Sequence, residues 1–591
     1  MLKVRQKETA SMLTRDGVRL DADIYRPDGE GEFPVLLMRQ PYGRAIASTV
    51  VYAHPSWYAA QGYIVVIQDV RGRGTSEGEF QLFTSEIADG IEAVNWASQL
   101  PGSTGDVGMY GFSYQGMTQL YAASGRPSAL KAICPAMIGY DLYADWAYEG
   151  GAFCLQANLG WAVQLAAETA RLRGDVRAYQ ALYAASRNLP FYNPSPPFTE
   201  SLRKYAPNAF YQEWLEHPEP GEYWENLSPN LEGVDLPMLH IGGWFDTFLR
   251  GTIHLYRDMA TRSTHPQKLI VGPWAHLPWG RKVGAVDYGS AAASPIDGIQ
   301  VDWFNQVLKG QDTGVMPPVC LFEMGSNQWR EFDSWPSDNR ECYFLSSTGL
   351  ASVRDDSGSL VASEDSSIQN LTPPNPLLKG FRPHPLTPSP NFGRRGTREQ
   401  ESFSPLSSLG DKIGNSYDVL VHDPWRPVPA LGGHAAMPSG SFERSAIDCR
   451  TDVLTYTTAP LAEDVHIAGD GAVEVWCESD TPSFDLCVVL SEVRPDGGVY
   501  NFTQGYVRVN LGRETTPLRI LLQATCMRIK KGNALRLSLS AACFPAYPVN
   551  PGIDSPLGDA HLMDARIVTV TVSCGGDRFS QVLLPVVSPD A

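Results

Sequence analysis

From Val18 to about Tyr140, short apolar runs alternate with longer mixed segments, the pattern of strands joined by helices in a mostly parallel sheet. Pro34–Arg39, Tyr63–Asp69, Val107–Tyr110 and Leu130–Cys134 predict strands. Ile87, Ile91, Val94 and Leu100 recur at near-helical spacing within Ser85–Leu100, and Met117–Ser124 also suits a helix. Between about Asp141 and Val234 the strands stop. Ala-, Leu- and aromatic-rich stretches such as Phe153–Arg173 and Val176–Ser186 predict an inserted helical cap over residues 141–236. Strand-like runs return at Pro237–Gly242 and Lys268–Gly272, followed by amphipathic Asp302–Lys309. The first domain therefore spans 1–140 and 237–313.

After about Gly314 short β-branched or alternating runs dominate, among them V-C-L-F-E-M, D-V-L-T-Y-T, L-C-V-V-L and I-V-T-V-T-V, separated by turn residues. They predict an all-β sandwich over 314–591. Within it, Leu371–Gly410 holds eight prolines in 40 residues without periodicity, which predicts a disordered insertion. The fold class is α/β, a domain interrupted by a helical cap, plus a C-terminal all-β domain.

Composition narrows the function. At 591 residues, with 43% hydrophobic and 19% charged residues, the chain is a multidomain globular protein. Lys and Arg number 47 against 65 Asp and Glu, a net charge of −18 that repels a phosphate backbone and excludes nucleic acid as a partner. No run of about 18 apolar residues suggests a membrane span. Met1–Asp16 is polar and lacks an apolar signal core, so a cytoplasmic location is expected. Ten cysteines stand singly, which suits reduced, mostly buried thiols. The eleven histidines form no H-x-x-x-H or H-E-x-x-H pair, so neither a metal nor a cofactor is expected. Gly72–Gly78 lacks the G-K-[ST] of a phosphate loop. Arg71 or Glu77 in this loop is expected to form ion pairs supporting the sheet edge.

M-Y-G-F-S-Y-Q-G, Met109–Gly116, follows an apolar strand and precedes a helix. A serine hydroxyl is a weak nucleophile, and glycines around Ser113 permit the tight strand-to-helix turn that exposes it. The spacing is G-x-S-x-x-G, with Gln115 where the second glycine usually stands. In this hydrolase class the acid and base follow the serine, each at the end of a later strand. Asp246 leaves Pro237–Gly242 in G-G-W-F-D, and His276 leaves Lys268–Gly272 in G-P-W-A-H. His276 is the candidate base and Asp246 the group fixing its tautomer. The oxyanion needs donors. The Tyr114 N–H is one candidate, and the hydroxyl of Tyr42, on the turn between Pro41 and Gly43, is another.

These segments resemble the cocaine esterase and X-Pro dipeptidyl-peptidase-like hydrolases, which include α-amino-acid ester hydrolases. The likeness rests on P-Y-G at Pro41–Gly43, Q-D-V-R-G-R-G-T-S-E-G-E-F at Gln68–Phe80, G-F-S-Y-Q-G at Gly111–Gly116, G-W-F-D at Gly243–Asp246, G-P-W-A-H at Gly272–His276 and the run Asp452–Asp464. The resemblance implies an α/β-hydrolase domain with an inserted helical cap and a C-terminal jelly roll, with Ser113 as nucleophile, Asp246 as acid, His276 as base, and Tyr42 with Tyr114 as oxyanion hole. Against the cocaine-esterase branch, Trp146, Trp161 and Phe248 match acyl-pocket aromatics. Thr247 and Phe248 stand where amino-ester hydrolases carry acidic residues.

The leading expectation is a serine hydrolase acting on a small-molecule ester, or amide, of an apolar or aromatic acyl group, with self-association left open. One alternative is an X-Pro dipeptidyl peptidase or α-amino-acid ester hydrolase, whose substrate ammonium needs a carboxylate such as Glu149 or Asp145. The other is a catalytically inert protein that binds ligands through the jelly roll.

Overall fold

The apolar runs of both parts of the first domain join one ten-stranded sheet. In chain order its strands are β1 (Glu8–Leu13), β2 (Arg19–Tyr25), β3 (Phe33–Gln40), β4 (Ile64–Asp69), β5 (Ser103–Phe112), β6 (Leu130–Ala136), β7 (Met238–Phe245), β8 (Gln267–Ala275), β9 (Val319–Glu323) and β10 (Gln328–Phe332). Across the sheet they lie β10-β9-β8-β7-β6-β5-β3-β4-β2-β1. The pairs from β4 through β9 run parallel. Parallel strands are covered on both faces, and β4, I-V-V-I-Q-D, is buried at every position. The computed structural model describes residues 1–45, 49–189, 191, 200–336, 340–362, 416–510, 516–555 and 560–589. The proline-rich stretch 371–410 lies outside them.

Two features depart from the periodicity reading. The antiparallel pair β1 and β2 extends the sheet before the first predicted strand, and β2 pairs antiparallel with β4. V-C-L-F-E, assigned above to the sandwich, is β9: Leu269 lies opposite Val319 in parallel register, so the run continues the α/β sheet. A five-residue apolar strand looks alike at a sheet edge and in a sandwich. Only its partner separates the two.

The longest helices among the described residues are α1 (Glu86–Ser98), α2 (Tyr114–Ser124), α3 (Leu155–Leu172), α4 (Val176–Arg187), α5 (Leu249–Arg262) and α6 (Ile296–Lys309). Between β6 and β7 the chain is mostly helical. It starts with a single π-helical turn at Tyr143–Ala147, continues in α3, and starts α4 at Asp175, whose carboxylate caps the Ala178 N–H at 3.0 Å. No helix among the described residues is long and apolar enough to cross a membrane.

Beyond β10 the described residues are mostly strands, in a nine-stranded and a four-stranded sheet. The longest pairing is the hairpin Ser483–Val493 with Val499–Asn510. Leu486, Leu537 and Val570 of this region share one core with Trp244, Phe245 and Val271 of the α/β sheet. The strand-rich region is thus packed directly on the ends of β7 and β8. All ten cysteines are free and most are buried. Among the described residues no group of His, Cys, Asp and Glu is arranged to hold a metal.

Helix α2 lies on the sheet through Gly116. A Cβ there would sit 2.3 Å from Ile138 Cγ2 and 2.9 Å from the Ala136 carbonyl oxygen. Gly116→Ala should therefore lift α2 off β6 and cost about 1–3 kcal/mol, the usual scale of overpacking. A thermal unfolding curve reads the loss, and an unchanged midpoint contradicts this account of the packing.

Candidate active site

Strand β5 ends at Phe112 and α2 begins at Tyr114, so Ser113 alone turns the chain. It does so at φ 59° and ψ −127°, a conformation costly for a residue with a Cβ. The surroundings hold it there. The Ser113 N–H donates to the Ala136 carbonyl at 2.9 Å, and Ser113's own carbonyl accepts the Met117 N–H at 2.9 Å. Gly111, at φ +140°, leaves room for Gln115, whose Cβ would lie 2.5 Å from a Cβ at 111. The amide of Gln119 bonds the Gly111 and Cys134 carbonyls at 3.1 and 3.2 Å, tying the turn to β6. Ser113 is largely buried. Tyr114 opens α2, and first-turn amides have no partner within their helix. Its phenol donates to Glu86 Oε1 at 2.8 Å, and Glu86 in turn pairs with the buried Arg39 at 2.5 Å.

Asp246 and His276 leave adjacent strands, β7 and β8, and meet. His276 Nδ1 lies 2.8 Å from Asp246 Oδ1. Asp246 is 0% exposed, whereas the His276 side chain is 28% exposed. The acid's turn is held from the strand-rich region. Gln523 Nε2 donates to the carbonyls of Trp244 at 2.9 Å and Asp246 at 3.1 Å, and the Thr247 hydroxyl donates to the His434 carbonyl at 2.8 Å. His276 packs on Phe112, the residue before the serine, with ring centres 5.5 Å apart.

A series of aromatic contacts runs from His276 back to the serine. Phe248 meets the His276 ring edge-on at 5.1 Å and Trp146 at 4.1 Å. Trp146 lies 5.3 Å from Trp161, whose indole N–H donates to the Tyr42 hydroxyl at 3.1 Å. Trp161 also lies 6.5 Å from the ring of Tyr114, the residue after the serine. Burial pushes the Tyr42 phenol up to about 12, so it stays a neutral donor near neutrality. The residues singled out by sequence therefore gather at one end of the sheet, around the carboxyl ends of β3, β5, β7 and β8.

Sequence reasoning missed Gln523, His434 and Glu86. Gln523 had a faint signal, a polar residue inside the apolar run Ile520–Ala524. Of the loop residues proposed for ion pairs, Arg71 binds Asp89 and Asp16, each at 2.7 Å. Glu77 is exposed and lies 3.3 Å from Arg19.

Residues 16–278 match the X-Pro dipeptidyl-peptidase (S15 family) model, and residues 313–583 match the X-Pro dipeptidyl-peptidase C-terminal non-catalytic domain. Together the two matches span most of the chain. Cocaine esterase from Rhodococcus sp. (strain MB1 Bresler) is 28% identical, with 97% of each chain aligned. An aminopeptidase from the marine sediment archaeon Thaumarchaeota archaeon shares the fold with a TM-score of 0.76 at 20% identity, covering 99% of this chain and 97% of that one. An α-amino-acid ester hydrolase shares it with a TM-score of 0.72 at 21% identity, again covering 99% and 97%.

The two carboxylates considered for a substrate ammonium are both occupied. Asp145 accepts the Asp141 N–H at 2.8 Å and lies 3.1 Å from His254 Nδ1. Glu149 Oε2 accepts from Arg250 at 2.8 Å and from the Tyr547 hydroxyl at 2.5 Å, and lies 2.9 Å from His434 Nε2. This cluster joins the helical segment, α5 and the strand-rich region. Burial alone would raise the Glu149 carboxyl, but Arg250 and then His434 overcome it and hold the group at about 2, below its ordinary 4.5. A depressed carboxylate stabilises the fold above its unfolded value and ceases to do so as pH falls towards the folded one. Acid should therefore erode stability between about pH 4.5 and pH 2, the window set by those two values. Glu149→Gln should lower stability at neutral pH and flatten that acid limb. Denaturant unfolding at several pH values measures both, and parallel pH profiles for the two proteins contradict the linkage.

Proposed function

The chain belongs to the cocaine esterase and X-Pro dipeptidyl-peptidase-like hydrolases, and we propose that it is a serine esterase cleaving carboxylic esters of apolar or aromatic acyl groups. The observation that carries this reading is the pairing of Asp246 with His276 at the end of the sheet where Ser113 turns, with Phe112 packed on the imidazole and Phe248, Trp146 and Trp161 running from it to Tyr42. With Nδ1 committed to Asp246, His276 presents Nε2 as the base. It takes the Ser113 proton while Oγ attacks the ester carbonyl. The carbonyl oxygen becomes an oxyanion, held by the Tyr42 hydroxyl and the Tyr114 N–H. Collapse expels the alcohol, which receives the proton from His276 and leaves an acyl group on Ser113. Water, deprotonated by the same imidazole, attacks the acyl carbonyl. The acid departs and the proton returns to Ser113.

Trp146, Trp161 and Phe248 form the wall against which the acyl group lies, a surface suited to flat or bulky apolar groups. The occupied states of Asp145 and Glu149 weigh against an amino-terminal dipeptide or an α-amino ester as the main substrate, because a bound ammonium then lacks a free carboxylate. Thr247 and Phe248, neither of them acidic, point the same way. An inert binding protein has no use for a strained serine at the sheet end that also carries a paired histidine and aspartate.

Ser113→Ala should reduce p-nitrophenyl ester turnover by several orders of magnitude and abolish labelling by a fluorophosphonate probe, and persistent turnover in the purified variant removes Ser113 from the chemistry. Tyr42→Phe should lower kcat by about 10²–10³, the usual cost of one oxyanion donor. A histidine base requires the rate to fall on acidification, and a flat profile from about pH 5 to 8 argues against one. Aryl esters should be turned over far faster than Gly-Pro-p-nitroanilide, and the reverse preference establishes the dipeptidase reading instead.

A further inference from the structure

Arg73 is 1% exposed. Buried charges are ordinarily paired, because desolvation costs more than an unpaired ion regains. Arg39, Arg71 and Arg44 of the same sheet edge all follow the rule, bonded to Glu86, Asp89 and Asp69. Arg73 breaks it. Among the described residues no carboxylate lies in ion-pair reach of its guanidinium. Nη1 donates to the Leu165 carbonyl at 3.2 Å, the guanidinium carbon stands 3.7 Å over the Phe80 ring, and buried Nε has no partner. The charged groups nearest it in effect are Glu168, already bonded to Arg171 at 2.7 Å, and the like-charged Arg173.

Its place in the fold is specific. Gln40 and Asp69 are register partners at the ends of β3 and β4. Tyr42 follows the first by two residues and Arg73 follows the second by four. Both then reach α3: Arg73 binds Leu165, and Tyr42 accepts from Trp161, one turn earlier on that helix. On the other side Phe80 separates Arg73 from Tyr114, with the two rings 6.0 Å apart. The uncompensated cation and the Tyr42 hydroxyl therefore meet the same helix one turn apart.

We infer that Arg73 is a positioning residue for Tyr42, its buried positive charge polarising the phenol so that the hydroxyl donates more strongly as negative charge develops on the substrate oxygen. The inference rests on the serine esterase reading. A cation fixed in a water-poor interior acts on charge that appears only in the transition state, without reorganising, which is the condition for lowering a barrier rather than tightening ground-state binding. The direction is consistent on both sides: Arg73 opposes the rise of the Tyr42 phenol, and burial presses the Arg73 guanidinium down to about 10, leaving it charged at neutral pH.

The test is a double-mutant cycle on p-nitrophenyl ester hydrolysis with thermal unfolding measured alongside. Arg73→Met keeps an unbranched stem and removes the charge; Arg73→Lys keeps the charge. Arg73→Met should lower kcat on the order of tenfold, less than the loss of the donor itself, with KM within about twofold. Arg73→Lys should recover most of that loss. In a Tyr42→Phe background Arg73→Met should have almost no further effect, because the group it acts through is gone. Inhibition by phenylboronic acid, whose serine adduct is a tetrahedral anion, should weaken in parallel with kcat. The proposal is overturned if Arg73→Met retains wild-type kcat, if the two losses multiply, or if Met and Lys variants lose activity equally together with thermal stability. An enzyme sensitive to Tyr42→Phe but not to Arg73→Met loses this inference alone. Insensitivity to both Ser113→Ala and Tyr42→Phe removes the esterase reading and this inference with it.

Discussion

Asp246 has no solvent contact, and a carboxylate taken out of water is stable only where donors replace the lost solvation. One oxygen is met by His276 Nδ1, while buried Oδ2 has no hydrogen-bond partner among the described residues. That shortage makes the imidazole the group on which the burial of Asp246 depends, and it fixes which ring nitrogen faces the acid. Because the pair is short of donors, the backbone around Asp246 has to be rigid. Gln523 supplies that rigidity by bonding the Trp244 and Asp246 carbonyls from a different part of the chain.

This explains why a region matched to a non-catalytic domain is packed against the ends of β7 and β8. Its contribution is the frame of the acid turn, through Gln523 and the carbonyl of His434. The helical segment contributes differently. Trp146 and Trp161 come from the π-helical turn and from α3, and they close the aromatic series between Phe248 and Tyr42. Glu149 then locks the helical segment to both neighbours, since its single carboxylate is shared by Arg250, His434 and Tyr547. No one part of the chain holds the complete site.

How much of this was legible in the sequence follows from the range of each interaction. Strand and helix periodicity is local, so β3 to β8 and α1 to α3 could be read within a few residues. The turn at Ser113 is local too, because glycine at 111 and 116 reports a positive φ and a close helix approach directly. The order of Ser113, Asp246 and His276 was readable because each follows an apolar run that ends at the same sheet edge. What failed has a different origin. The strand Val319–Glu323 carries no mark of whether its partner is β8 or another sandwich strand. Gln523 lies 277 residues from the carbonyl of Asp246 that it bonds, and no spacing rule links them. The carboxylates of Asp145 and Glu149 read as free acids, and only their buried partners His254, Arg250 and His434 reveal that they are spent.

The same accounting of buried charge shapes the acyl side of the site. The two carboxylates closest in sequence to the pocket tryptophan Trp146 are neutralised by their own partners, and the wall between His276 and Tyr42 is built of rings. The unpaired ion near that wall is Arg73, a cation. An ammonium entering beside the aromatic wall would lose its water, meet no free carboxylate among these groups and feel a like charge behind Tyr42. A neutral acyl group loses little by the same transfer and gains contact with the indoles. On the proposed esterase reading, a preference for uncharged acyl groups follows from where the buried charges already have partners and where one does not.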